Sequence, residues 1–274
     1  MEHEQPHESS NHFCFGRDEI GHLTERCVMD RLEVMTRNEQ ELYSYRSFFT
    51  RRNRYRSSQE LIVDPDWRAS IVKWSYSVVD YFHLSREVVA LSISIFDRFF
   101  ATGICRPSSE MILLASIATL HIAIKLRESA IIRLSTLSWF GRGRFRESQI
   151  ADMELRILMI LRWCVNPPTT IAFVMHLLLL LPEISSNFRR EILESSRFLS
   201  ELAVADSFFI TKRPSVVGMA AILNSLDECE IKMHQADAEN YLNSISNAIA
   251  ISHNDAEIMA VRQRLRLLAA VNGG

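Results

Sequence analysis

The sequence has 274 residues, 47% hydrophobic and 23% charged, enough apolar material to bury one sizeable core or two smaller ones. Its formal charge of -2 at pH 7 gives no global attraction to nucleic acid or to an anionic membrane, so binding of either kind would need a local patch. Five cysteines, Cys14, Cys27, Cys105, Cys164 and Cys229, are odd in number and lack C-x-x-C pairing, which excludes a disulfide framework and leaves them as reduced thiols.

The chain opens with the polar, His-rich stretch M-E-H-E-Q-P-H-E-S-S-N-H, with no apolar segment behind a basic start, so an intracellular setting is expected. Residues 1–30 read as a weakly ordered tail. A first helix is predicted over Arg31 to Phe49, on the partial periodicity of Leu32, Met35, Glu39, Leu42 and Tyr43. The basic run R-R-N-R-Y-R, Arg51 to Arg56, follows as a linker, read either as a solvated charge run or as a nuclear import signal. Pro65 and Asp66 then open a segment with Ile71, Trp74, Val78 and Tyr81 on one stripe, ending near His83. Ser85 can cap the next helix, in which Val88, Leu91, Ile95 and Phe99 recur at helical spacing. Gly103 and Pro107 separate it from Met111 to Glu128, a stretch apolar almost all round that should lie at the centre of a bundle.

A short helix over Leu134 to Phe140 comes next. The following one, Arg146 to Trp163, should turn Ile150, Met153, Leu155, Ile157, Leu158 and Leu161 inward and stop before Asn166 to Pro168, because a residue before proline avoids the α region. A similar series then repeats: Thr170 to Leu181, Phe188 to Phe209, Pro214 to Cys229, Ala236 to Ile251 and Asp255 to Val271. The longest apolar runs, Met111 to Ile124 and Ile171 to Leu181, fall short of the roughly 20 residues of a spanning helix and carry His121 and His176, so no membrane segment is expected. The fold class is all-α: two tandem five-helix bundles, residues 60–165 and 166–274, preceded by an N-terminal helix and basic linker at 31–59.

Four stretches, W-R-A-S-I-V-K-W, S-I-F-D-R-F-F, L-L-A-S-I-A-T-L-H-I-A-I-K-L-R-E and D-M-E-L-R-I-L-M-I-L-R-W-C-V-N-P-P-T, resemble successive pieces of a cyclin box, in order and with close to that family's spacing. The five positions that characterise the box are filled by Arg68, Asp97, Leu114, Lys125 and Glu154, with a small insertion between Asp97 and Leu114. R-P-S-V-V-G-M-A-A at Arg213 to Ala221 resembles the second cyclin fold. The resemblance implies a regulatory subunit that forms a heterodimer with a cyclin-dependent protein kinase, in cell-cycle control and in the nucleus or cytoplasm. It assigns Arg68 and Asp97 to a structural ion pair and Lys125 and Glu154 to the kinase contact, with Leu126, Glu128, Phe145 and Ile150 as neighbours. An ammonium at the rim of a packed bundle loses hydration unless acceptors replace it, so a carboxylate such as Glu154 beside Lys125 is a physically reasonable compensation.

In the family, Trp67, Ile71 and Trp74 would form a shallow patch that docks substrate or inhibitor peptides. Ser70 and Lys73 depart from the usual apolar and acidic residues there, and Lys73 would repel basic docking peptides. Arg127 replaces one of two acids that many cyclins carry after the lysine, and the loop F-G-R-G-R-F-R, Phe140 to Arg146, is basic where acidic or neutral residues are usual. That loop reads either as a meeting point for an acidic or phosphorylated surface or as a solvated turn.

No catalytic motif is found: the sequence lacks G-x-G-x-x-G, G-x-S-x-G and H-E-x-x-H, so catalysis is expected to come from the partner. His12, Cys14, His22 and Cys27 are too irregularly spaced for a zinc site, and neither metal nor cofactor is expected. Two rival readings stay open: a transcription-associated protein of the same fold that binds nucleic acid, and a cyclin-fold scaffold that activates no kinase.

Overall fold

The computed structural model describes residues 24–43, 65–105, 108–129, 132–182, 185–229 and 234–272. Among them are eleven α-helices and a 3-10 turn, with no strand. The helices are α1 (Glu25–Glu41), α2 (Pro65–Tyr81), α3 (Glu87–Ala101), α4 (Ser109–Arg127), α5 (Leu134–Phe140), α6 (Glu147–Ile160), α7 (Thr170–Leu179), α8 (Ser186–Ala205), α9 (Pro214–Glu228), α10 (Gln235–Ile249) and α11 (Ala256–Asn272). Helices α2 to α6 enclose one hydrophobic core and α7 to α11 a second.

The all-round apolar stretch does become the central helix of the first bundle. Ser108 caps it, its Oγ accepting the Met111 N–H at 3.1 Å, and Ala115 to Ile124 are buried without interruption. As a helix of 19 residues, α4 reaches the length and hydropathy of a membrane span, longer than the apolar run suggested. Its neighbours α3 and α6 cover it, so it serves as a core helix here. Helix α3 is rich in Val and Ile, poor helix formers, yet Val88, Val89, Ile93 and Ile95 are all buried, so packing overrides propensity. The counterpart of α4 in the second bundle is α9, buried from Ser215 to Ser225 with Pro214 at its first position.

Several boundaries differ from the sequence reading: the helix expected over Phe188 to Phe209 ends at Ala205 and a 3-10 turn, Ser207–Thr211, follows it. The N-terminal helix begins at Glu25 rather than Arg31 and ends at Glu41; Val28, ahead of the expected start, is buried in the second core with Leu32. Residues 44–49 of the expected helix, and the basic run Arg51 to Arg56, lie outside the described residues, as do His12, Cys14 and His22. Helix α6 ends at Ile160, well before the prolines, because Arg162 and Trp163 adopt left-handed φ of 51° and 62°. The Trp163 N–H reaches back to Leu158 O at 2.8 Å, closing the helix in the manner usually left to glycine. Leu155, expected inward, is exposed. It follows Glu154, which points into the bundle rim, and one residue turns a helix by about 100 degrees.

The seam between the bundles is polar and specific. Arg68 on α2 grips both carboxylate oxygens of Asp97 on α3, Nε at 3.0 Å and Nη2 at 2.7 Å, and its Nη1 donates to Val204 O on α8 at 2.6 Å. Both residues are buried. One side chain thus joins two helices of the first bundle to the second. Tyr76 Oη donates to Glu201 O at 3.4 Å, and Arg86 pairs with the Glu201 carboxylate at 2.7 Å. Thr169 caps α7, accepting the Ala172 N–H at 3.2 Å, and donates to Glu87 at the start of α3.

Helix α1 closes the second bundle. Glu39 is buried, and its carboxylate accepts the Ser215 N–H at 3.1 Å as well as the Ser215 hydroxyl, with Arg213 at 3.9 Å. A carboxylate at the unpaired N–H groups of a helix start is favoured both by hydrogen bonding and by the helix dipole. Burial pushes the Glu39 carboxyl up from its usual range, while the Ser215 bonds and Arg213 oppose that shift.

Candidate functional site

Lys125 and Glu154 meet at the rim of the first bundle. Lys125 sits in the last turn of α4, where its charge suits the helix dipole, and its Nζ donates to Glu154 Oε1. The two side chains differ in exposure: 46% for Lys125 and 12% for Glu154. A third residue completes the arrangement. His121, buried one helical turn before Lys125, places Nδ1 2.7 Å from Glu154 Oε2. Burial alone would raise the Glu154 carboxyl, but the bonds from His121 and Lys125 outweigh it and hold the carboxyl below the usual carboxylate range. It is therefore ionised at neutral pH.

The chemistry that follows is positional. An ammonium carries three donors and an ionised carboxylate about four acceptor sites. With one donor of Lys125 spent on Glu154, two remain for groups outside the chain. Glu154, clamped from both sides, prevents the lysine from swinging through its many rotamers, so the entropy of fixing it is already lost before any partner arrives.

The other expected neighbours separate into surface and support. Leu126 is exposed beside Lys125. Glu128 is half-buried, and its Oε1 accepts the Ser85 N–H at 2.8 Å, which ties the end of α4 to the start of α3. Phe145 and Ile150 are buried in the first core, where they hold the entry to α6 and offer no surface of their own. Leu114 is half-buried against the same core. Arg127, the departure from the acidic pattern, lies 3.6 Å from Glu87. On α6, Leu155 and Met159 are exposed, and so is Trp163 just beyond it, giving the helix that carries Glu154 an apolar outer surface. Of the expected docking patch Trp67 is exposed, Trp74 is half-buried against the core and Ile71 is buried, while Lys73 is exposed. Ile71, Trp74 and Val78 turn towards the core, so the apolar area left at the surface comes from Trp67 and the outer part of Trp74.

His121 and Glu39 were not singled out from the sequence. For His121 a signal existed: it lies four residues before Lys125, so the two share a helix face. Glu39 fell on the periodic stripe of the first helix, but its partner, 176 residues away, left no local trace.

Residues 32–166 match the family model for the cyclin N-terminal domain. The chain belongs to the cyclin family. Among curated relatives it is similar to a putative cyclin-F3-1 of Oryza sativa subsp. japonica, 29% identical over 63% of this chain and 45% of that protein. It is similar to the G1/S-specific cyclin-E1 of Gallus gallus, 31% identical over 41% of this chain and 28% of that one. With the G1/S-specific cyclin-D1 of Xenopus laevis it shares 25% identity over 76% of this chain and 69% of the relative. The matches thus span less than half of the first two relatives' own length. Among solved structures, a viral cyclin from herpesvirus saimiri superposes with a TM-score of 0.64 at 17% identity, covering 87% of this chain and 97% of that one. That likeness establishes the cyclin fold across both bundles.

Proposed function

We propose that this chain is the regulatory subunit of a cyclin-dependent serine/threonine protein kinase, acting in cell-cycle control in the nucleus or cytoplasm. The observation that carries the reading is the clamped lysine: a half-exposed ammonium fixed by an ionised Glu154, with Leu126 exposed at its side and the apolar outer surface of α6 close in sequence. Charge-assisted donors fix the orientation of a partner while apolar side chains around them supply area. The cell-cycle assignment draws on the similarity to cyclins whose names carry the term G1/S-specific.

The mechanism is a population shift. A kinase alternates between active and inactive arrangements of its regulatory helix, and a subunit that binds the active one more tightly raises its share. The chain's own residues bind and orient; phosphoryl transfer belongs to the kinase.

The test is co-purification from cell extract, assaying histone-type kinase activity bound to wild type, to Lys125→Ala and to Leu126→Asp. Both substituted residues are exposed, so both variants should stay folded, with at most a small drop in melting temperature, and lose bound kinase. Exchanging the two charges would be a poorer control, because Glu154→Lys would set an ammonium against His121. Absence of kinase activity from wild type would favour the scaffold reading.

A further inference from the structure

Phe140, the last residue of α5, is surrounded by three aromatic rings: Tyr81 and Phe82 from the end of α2, each with its centroid 5.3 Å away, and Trp139 at 5.0 Å. Tyr81 and Phe82 meet each other edge to face at 5.0 Å. Phe82 and Phe140 pack against the first core, whereas Tyr81 is 64% and Trp139 69% exposed. Edge-to-face packing holds the two outer rings in place over an anchored pair. Among the described residues no element covers them.

The chain then turns through G-R-G-R-F-R. The Gly141 N–H donates to Leu137 O and the Gly143 N–H to Ser138 O, both at 2.9 Å, and Ser138 Oγ donates to Phe145 O at 2.6 Å. A Cβ on Gly141 would lie 2.7 Å from Ile117 Cδ1, so glycine lets the turn settle directly on α4. Gly143 supplies the left-handed φ of 64°. This tied turn leaves Arg142, Arg144 and Arg146 exposed, and none of them takes part in an ion pair among the described residues. Residues 129–146 hold four arginines, counting Arg133, and no acidic residue, within a chain whose net charge is -2.

We propose that Tyr81, Trp139, Arg142 and Arg144 form a docking surface for an acidic segment of a protein partner, carboxylates on the arginines and apolar side chains against the two rings. This goes beyond the kinase contact, which uses Lys125 and the outer surface of α6. Charge complementarity selects the occupant: unpaired guanidinium groups on a pre-formed turn favour planar carboxylates, which they can grip in bidentate fashion. Nucleic acid suits the surface less well. A basic patch of a single turn neutralises few phosphates, whereas a short acidic segment needs only a few guanidinium contacts.

The experiment titrates the full chain, without kinase, into a fluorescein-labelled peptide of repeating Glu-Glu-Tyr units and, separately, into labelled oligothymidylate, reading anisotropy. Peptide affinity should fall as salt rises, weaken about tenfold or more in Arg142→Glu/Arg144→Glu and about threefold in Trp139→Ala. Circular-dichroism melting checks that each variant is folded, and Arg144→Gln, a milder change at an exposed position, should give an intermediate loss. No peptide binding by wild type, unchanged affinity in the folded arginine variants, or tighter binding of oligothymidylate than of peptide would each overturn the proposal. Because kinase is absent and Lys125 untouched, the result is independent of the kinase reading.

Discussion

Two of the cross-helix charge pairs, Arg68 with Asp97 and Lys125 with Glu154, look alike on paper and differ in what surrounds them. Arg68 and Asp97 are both buried, all three guanidinium nitrogens have partners, and one of those partners is a backbone carbonyl of the other bundle. Lys125 and Glu154 share a single bond, with the lysine half in solvent and donors to spare. The first pair is closed and holds the seam together; the second is open and can accept a partner. Satisfaction of donors, rather than the presence of a charge pair, separates a fold residue from a contact residue.

The largest effect should come from breaking the closed pair. Asp97→Ala strands a buried guanidinium, and we expect a loss of about 3–5 kcal/mol, visible as a lowered denaturant midpoint. Replacing both partners, as Arg68→Met with Asp97→Leu, should recover much of that loss, because no uncompensated charge is then left inside. If the single and double variants were equally unstable, the contact with Val204 O would be the term that matters.

Next in size is Glu39→Ala, which removes the buried acceptor at the start of α9. A cost of about 1–3 kcal/mol is expected, with amide exchange accelerating first at Ser215 in the second bundle. A change confined to the first bundle would contradict the contact.

The open pair gives a smaller, pH-dependent effect. The folded Glu154 carboxyl lies below its ordinary range, so its stabilising contribution is present above the unfolded value and disappears as pH falls through the folded one. Glu154→Gln should therefore melt below wild type at pH 7, and the gap should close on acidification. A gap that widened instead would mean the carboxyl is not held ionised. Lys125→Ala should cost least, under about 1 kcal/mol by thermal melting, since the pair is partly solvated. Its effect belongs to partner capture.

How far the sequence foretold this contrast depends on distance along the chain. The central position of α4, the lysine at its end and the Arg68 to Asp97 pairing were legible, because helical period and a resembling box both speak to them. Ile150 was placed inward by the helical period, whereas Phe145 was legible as important but not as buried, since a box position says nothing about which side of the helix wall it occupies. Leu155 was misplaced because inward and outward positions on α6 are separated by one residue, and an apolar outer surface imitates a core face. The start of α1 was missed for another reason. Val28 continues the stripe of Leu32 and Glu39 one turn earlier, but the polar residues around it mask the period, and the helices it packs against are made much later.

That last feature bears on how the chain is assembled. Thr36 donates to Ala248 O across 212 residues, and Val28 and Leu32 lie in a core completed by Val261 and Leu265. During synthesis α1 emerges ahead of the helices it packs against, α7 and α10, and waits for them while α2 to α6 can close their own core in the meantime. Long-range closure of this kind is slow. The second bundle should accordingly be the late step of refolding, and a chain shortened by removal of α1 should refold its first half at the normal rate while the other half stays loosely packed.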